Sequence, residues 1–401
     1  MSSESIHPRS TDLVVLSLER WDEVWRRNQH LVSGLLRRDP GLRVLFVEPA
    51  VDPLHDLSRR RRPQLPGGLR AGPPVPGVEP GRLWLYEPAK WFPRRLHRRV
   101  DRHLAAGTVR AVRRLGFGSP LLWVNDPDGA AVLEATGWPA LYDVTDDWLL
   151  ADRDAAETSR RARAEALLLA RARVVVVCSP ALARAKGSRR EVALVPNAVD
   201  VTDYRRPRTR PDDLPEGPCA LYVGTAHRDR LDVELCALTA EAIGPRAHLV
   251  IVGPVALEPE DVHRLQRAGA VLLGPRPAPE IPAYLQHADV LLVPHVVTPF
   301  TDSLDPIKLY EYRAVGRPVV STPVAGFRDA GDPQVAVAER SDFVAAVLER
   351  TAPGWGRASD LPEAEVPSWS DRVEVMAHVL ERVAGAAGDQ RSGGTQPRSS
   401  T

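Results

Sequence analysis

The 401-residue chain holds only three cysteines, Cys178, Cys219 and Cys236, and no two of them stand in CxxC spacing. That excludes an evident zinc site or disulfide framework, and free thiols suit a reducing cytoplasm. No apolar run reaches the length of a membrane-spanning helix, and the opening "MSSESIHPRSTDLVVLSLERW" has too short an apolar stretch for a signal-peptide core. Work at a membrane is therefore expected from its surface only. A basic excess is missing too. Lys and Arg number 53 against 52 Asp and Glu, a formal net charge of +1, which argues against a dedicated nucleic-acid binder. The balance conceals an asymmetry, since residues 1–200 carry 32 basic and 24 acidic side chains and the remainder 21 and 28. An anionic partner would meet the N-terminal half. The chain also lacks GxGxxG after its first apolar run, GxxxxGK[ST], and HExxH, so dehydrogenase, P-loop and metal-centred readings lose their main support and no metal is expected.

What is present is a series of short apolar runs bounded by turn residues: "DLVVLSL" from Asp12, "RVLFVEP" from Arg43, "LLWVND" from Leu121, "PALYDVTDD" from Pro139 and "RVVVVCSP" from Arg173. Runs apolar on both faces and separated by longer amphipathic stretches read as buried parallel strands of a doubly wound α/β sheet. A second series, "CALYVGT", "HLVIVGP", "AVLLGP", "DVLLVPH", "RPVVSTP" and "QVAVAE", starts at Cys219. With 43% hydrophobic residues the chain can fill two cores. The fold class expected is α/β, two Rossmann-like domains in tandem: 12–200, with a flexible Arg/Pro/Gly-rich loop at 57–82, and 219–366, joined by a linker at 201–218. Residues 1–11 and 386–401 have the composition of disordered ends, and 367–385 reads as an amphipathic helix with Ser368 or Ser370 as N-cap.

The stretch "TDSLDPIKLYEYRAVGRPVVSTP" follows the strand "DVLLVPH", at a carboxyl end, where ligands bind in open α/β sheets. Pro306 suits a first helical position with Asp305 as cap. The backbone amides of Ser303, Leu304 and Asp305 are then expected to face an anion, with Lys308 adding a point charge suited to phosphate. Glu311, three residues on, shares the face of Lys308. A carboxylate beyond a phosphate cradle matches the diol of a ribose, so the pair fits a nucleoside diphosphate. An exposed helical ion pair between the two is the simpler alternative.

"YEYRAVGRPVVSTP" after "DPIKL", "LYVGTAHRDRLDVEL" from Leu221 and "VPNAVD" from Val195 are similar to the GT-B-fold glycosyltransferases of the family-four type, in particular a bacterial subgroup carrying D-P-x-K-x-Y-E-Y. The resemblance implies two Rossmann-like domains facing a cleft, with a nucleotide-sugar donor on the C-terminal one, a hydroxyl acceptor on the N-terminal one, and neither metal nor cofactor. It implies a ribose contact for Glu311, the second acid of the family's E-x7-E motif. The first acid falls at Ser303, a departure with Asp302 and Asp305 nearby. Of the basic pair that grips the diphosphate in this family, one position is Thr225, a second departure, and the other is Arg230. Lys308 is expected to replace the charge missing at Thr225. Arg276, in "LGPRPAPEI", falls where relatives hold the base, and His295 ends a strand toward the donor. The implied activity is hexosyl transfer. Donor sugar, base and anomeric outcome stay open.

In the N-terminal half, "YDVTDDW" places Asp143, Asp146 and Asp147 after a buried strand. Clustered carboxylates raise one another's pKa, as a proton acceptor needs, and Asp146 is the expected base, helix capping being the alternative. "SLERWDEVWRRNQHL" is expected to start a helix directly after the first strand, with Glu19, Arg20 and Trp21 on the acceptor side and Trp25, Leu31 and Leu35 in the core. "KWFPRRLHRRVDRHL" joins Trp91, Phe92, Leu96 and Val100 to Arg94, Arg95, Arg98, Arg99 and Arg102, and Arg59–Arg62 lies upstream. This is the pattern of an interfacial anchor on an anionic membrane, which would make the acceptor lipid-linked, and equally that of a packed surface helix. Two other functions fit the same fold, a nucleotide-sugar epimerase and a non-catalytic nucleotide-sugar binding protein.

Overall fold

The computed structural model describes residues 11–58, 62–91, 99–150, 155–244, 246–352 and 365–385. They fall into two units, the first taking residues up to 22, 27–195 and from 373 on, the second 23–26 and 196–372. Both are α/β units built on largely parallel sheets.

The sheet of the first unit contains β1 (Asp12–Leu16), β2 (Arg43–Val47), β3 (Gly68–Ala71), β4 (Leu83–Glu87), β5 (Leu121–Val124), β6 (Ala140–Val144), β7 (Val174–Val177) and β8 (Ala193–Leu194), in the order β3-β4-β2-β1-β5-β6-β7-β8. Every residue of β1 and β7 is buried, as expected of strands covered on both faces. After β1 the chain winds outward through β2 and β4, then returns to β5 on the other side. The direction therefore reverses between β1 and β5, where the carboxyl ends hold Ser17 and Asn125.

Two sequence expectations differ from the structure of this unit. The 57–82 stretch carries β3, paired antiparallel to β4 from Gly68↔Glu87 to Ala71↔Trp84, and buries Val75; of its arginine run, 59–61 lie outside the described residues. The helix after β1 begins at Arg27 rather than directly after the strand; it buries Leu31 and Leu35, while Trp25 stays outside it and half-buried. Of the basic segment 90–104, residues 92–98 lie outside the described ones, and its end belongs to the helix Val100–Arg114.

The second sheet contains β9 (Cys219–Val223), β10 (His248–Val252), β11 (Val271–Gly274), β12 (Val290–Val293), β13 (Val319–Ser321) and β14 (Val335–Val337), all parallel, in the order β11-β10-β9-β12-β13-β14. Its reversal lies between β9 and β12. The 201–218 stretch is part of this body rather than a linker. It contains a helix, Val201–Arg205, it buries Leu214, and its Asp213 accepts a hydrogen bond from Tyr284 at 2.7 Å.

The C-terminal helix Trp369–Gly385 is capped reciprocally: Ser368 Oγ accepts from the Asp371 amide at 3.2 Å, and Asp371 Oδ2 accepts from the Ser368 amide at 3.1 Å. From Val373 on it packs in the first unit. Gly34 makes room for it, because a Cβ there would overlap Val373 Cγ2, and Arg173 donates to the carbonyl of Val383 at 2.7 Å. Among the described residues no helix is long and apolar enough to cross a membrane.

Candidate functional site

At the reversal of the second sheet, β9 is followed by Gly224 and β10 by Gly253, with φ of +144° and +142°. A Cβ on Gly253 would overlap the Gly224 carbonyl, and one on Gly224 would overlap Lys308 Nζ. Only glycine therefore lets the ammonium of Lys308 lie against the strand end, 5.1 Å from the Tyr222 ring centroid. Lys308 sits in the first turn of the helix Ile307–Val315. Burial, and then the nearby Arg230, push its pKa down to about 8, with Glu311 opposing.

Arg230 is placed by the loop after β9, which is pinned to the end of β12: Val296 donates to the Arg230 carbonyl at 2.8 Å, Asp232 to that of Pro294 at 2.9 Å, and Leu231 bridges His295. Its guanidinium lies 5.7 Å from the Phe300 ring centroid. Two cations thus converge on one strand end. One helical turn beyond Lys308, Glu311 accepts a hydrogen bond from the Tyr204 hydroxyl at 2.6 Å. Burial raises the Glu311 pKa, while Tyr204 and Lys308 oppose the rise. The arrangement can hold an anion and, beside it, hydroxyl donors.

The start of that helix differs from the expected cap. Pro306 is the N-cap and Asp305 turns elsewhere: its carboxylate accepts from the Asn197 amide at 2.5 Å and the Tyr310 hydroxyl at 2.8 Å, and its carbonyl accepts from Asn197 Nδ2 at 2.5 Å. The Ser303 amide donates to the Phe300 carbonyl at 3.1 Å, within its own turn rather than to an anion. Leu304 is buried in extended backbone. Asp302 pairs with Arg328 at 2.7 Å. Both acids neighbouring Ser303 are thus engaged by protein partners.

His295 is 5% exposed, and burial with the charges of Lys308 and Arg230 keeps its pKa well below the usual imidazole value, so it is neutral. The Tyr222 hydroxyl donates to the Thr225 carbonyl at 3.3 Å, which leaves His295 Nε2, 3.2 Å away, to donate to Tyr222. Thr225 itself is exposed. Arg276 lies apart from this group: its guanidinium is engaged by Asp213, by Tyr284 Oη at 2.9 Å and by the Leu273 carbonyl at 2.7 Å. Its geometry is that of a brace for the 201–218 stretch.

In the first unit the three aspartates do not share charge. Asp143, 0% exposed, receives Arg27 Nε at 3.2 Å and Nη2 at 3.3 Å, and Trp123 Nε1 at 3.2 Å. Asp147 pairs with the buried Lys186 at 3.1 Å, which also meets Glu165 at 2.7 Å. Asp146 remains half-buried and accepts from the Thr145 hydroxyl at 3.1 Å. Trp21 is buried, edge-on to Phe46 at 5.0 Å. Arg20 is paired with Glu87 at 2.9 Å, and the Glu19 amide donates to Ser17 Oγ at 3.0 Å. Sequence reasoning missed Arg27, Asn125 and Tyr204. It quoted Asn197 within "VPNAVD" without giving it a role. Among the described residues no three His, Cys, Asp or Glu side chains are grouped to hold a metal ion.

Residues 217–351, the segment that carries Arg230, Lys308 and Glu311, match the family described as glycosyl transferases group 1. A protein of Bacillus subtilis (strain 168) named as a teichuronic acid biosynthesis glycosyltransferase, TuaH, is 33% identical over 58 residues, an alignment spanning 14% of this chain and 15% of that one. The described fold matches solved structures across nearly its whole length. Sucrose-phosphate synthase from Thermosynechococcus elongatus superposes with a TM-score of 0.63 at 17% identity, covering 95% of this chain and 98% of that one. HepE from Anabaena, solved with UDP and glucose, gives 0.58 at 15% identity over 92% and 99%. The architecture is that of the GT-B glycosyltransferases.

Proposed function

We propose that this chain is a glycosyltransferase that moves a sugar, of the hexosyl kind, from a nucleoside diphosphate donor to an acceptor hydroxyl, and that "DPIKLYEY" marks the bacterial subgroup it resembles. The observation that carries this is the Lys308 ammonium lying beside Arg230 at a glycine-ended strand, with Glu311 one helical turn on. Breaking the sugar–phosphate bond leaves added negative charge on the departing diphosphate, and cations already held in place stabilise it without reorganising. Glu311 accepts the ribose hydroxyls. In an inverting transfer Asp146 takes the acceptor's proton; in a retaining one the departing phosphate takes it and Asp146 positions the acceptor. The group 1 domain supports transfer over epimerisation or binding alone.

Calorimetry with UDP tests the donor site. Glu311→Gln is expected to weaken binding by about 1–3 kcal/mol, the cost of spoiling a charge-assisted hydrogen bond, and an unchanged affinity would remove Glu311 from the ribose. The acceptor reading extends to a lipid-linked hydroxyl at an anionic membrane surface. It is supported by Trp91, 50% exposed, and by exposed Arg99 and Arg102 on the edge of the basic segment. The protein should co-sediment with phosphatidylglycerol vesicles at low salt and be released near 1 M salt, where screening shortens to about 3 Å. No binding at low salt favours a soluble acceptor.

A further inference from the structure

Glu311 does not stand in its site unaided. Its Oε1 accepts from the hydroxyl of Tyr204, 107 residues earlier in the chain, and Tyr204 is itself held. The short helix Val201–Arg205 that carries it is capped by Asp200, whose carboxylate accepts from the Asp203 amide at 3.0 Å. Gln286 Nε2 then donates to the carbonyls of Tyr204 and Arg206 at 2.7 and 2.8 Å. Just upstream, Asn197 ties the turn before the Lys308 helix through Asp305. The segment 197–206 is thus a strap across the first turns of that helix. One anchor fixes its entry, and the other fixes the orientation of the Glu311 carboxylate.

A carboxylate on a two-carbon stem rotates about its last bonds, and a neighbouring pair of hydroxyls is met well only in one orientation of its plane. With Oε1 committed to Tyr204 by one lone pair, Oε2 and the remaining lone pair of Oε1 are left for two hydroxyl donors. We propose that Tyr204 is a positioning residue for Glu311, fixing its carboxylate to accept both ribose hydroxyls, and that it thereby sets selection for ribo- over 2′-deoxyribonucleoside diphosphates. This rests on the donor-site reading above.

A second consequence concerns pH. The charged or titratable groups acting on Glu311 are Tyr204, with Asp200 and Asp203 behind it, and Lys308, with Arg230 and His295 beyond it; Tyr312 is the neighbour on its own helix, with Tyr222 beyond. Burial drives the carboxyl toward protonation, and Tyr204 is the first of the two groups that oppose it. Without the phenol hydroxyl, Glu311 takes up its proton at higher pH, and binding that needs the carboxylate fails earlier on the acid side.

The test is calorimetry on the full chain with UDP and with 2′-deoxy-UDP, from pH 5 to 8, for the native protein, Tyr204→Phe and Glu311→Gln. In Tyr204→Phe, UDP affinity at pH 7 is expected to fall about 3- to 10-fold, 2′-deoxy-UDP affinity much less, and the acid limb of the UDP profile to move to higher pH. Equal weakening of both nucleotides with an unshifted profile, or no weakening, would make Tyr204 a packing group and overturn the proposal. Should Glu311→Gln leave UDP affinity unchanged, the ribose site itself is wrong and the proposal falls with it. A loss in Glu311→Gln without one in Tyr204→Phe overturns the role of Tyr204 alone.

Discussion

Replacing Lys308 with methionine is expected to slow transfer by about 10²–10³-fold and at the same time to stabilise the second unit. The two effects have one origin. The ammonium is held against Gly224 and beside Arg230, at a cost in desolvation and like-charge repulsion that lowers its pKa to about 8. In the unfolded chain it titrates near 10.4, so the folded value is the lower one. The cost is then fully present below about pH 8 and disappears as pH rises through the unfolded value. Methionine, of similar length and uncharged, removes it, for a gain of about 1–3 kcal/mol at pH 7 that fades by about pH 10. Under the proposed function, a bound diphosphate would offset that cost. Turnover at saturating donor and denaturant midpoints at pH 7 and 10 check both halves. A variant both slower and less stable would make Lys308 a structural residue.

Asp143→Asn is expected to destabilise the first unit by about 3–5 kcal/mol, while Asp146→Asn leaves stability unchanged and lowers transfer. Asp143 is enclosed and neutralises the equally buried Arg27, with Trp123 Nε1 completing its hydrogen bonds. Asparagine keeps the shape but removes the negative charge that Arg27 Nε and Nη2 meet in the core. Urea unfolding midpoints separate the two aspartates. A stable but inactive Asp143→Asn would transfer the base role from Asp146 to Asp143.

The strands of the second sheet were legible because each is a short apolar run bounded by turn residues, from "CALYV" to "VAV". In the first sheet β4, "LWLYE", escaped notice because its burial alternates and it lies next to a Pro- and Gly-rich stretch, and β3 and β8 are four and two residues long. Lys308 and Glu311 could be read locally, since helical spacing alone places them together. Asp305 could not. Its sequence suits a helix cap, yet Asn197, 108 residues away, claims the carboxylate. Asp143 likewise meets Arg27 across 116 residues. Tyr204 was hidden by composition: charged and proline-rich surroundings resemble a linker, while the contact that matters is tertiary.

The helix Trp369–Gly385 has a consequence for the order of assembly. Its residues from Val373 on fill a place beside Gly34 in the first unit, although all of the second unit, 23–26 and 196–372, is synthesised before them. Domains usually fold as they are made, N-terminal one first. Here the earlier body is left with an uncovered helix face while the later one is completed, and the first to start is the last to be finished.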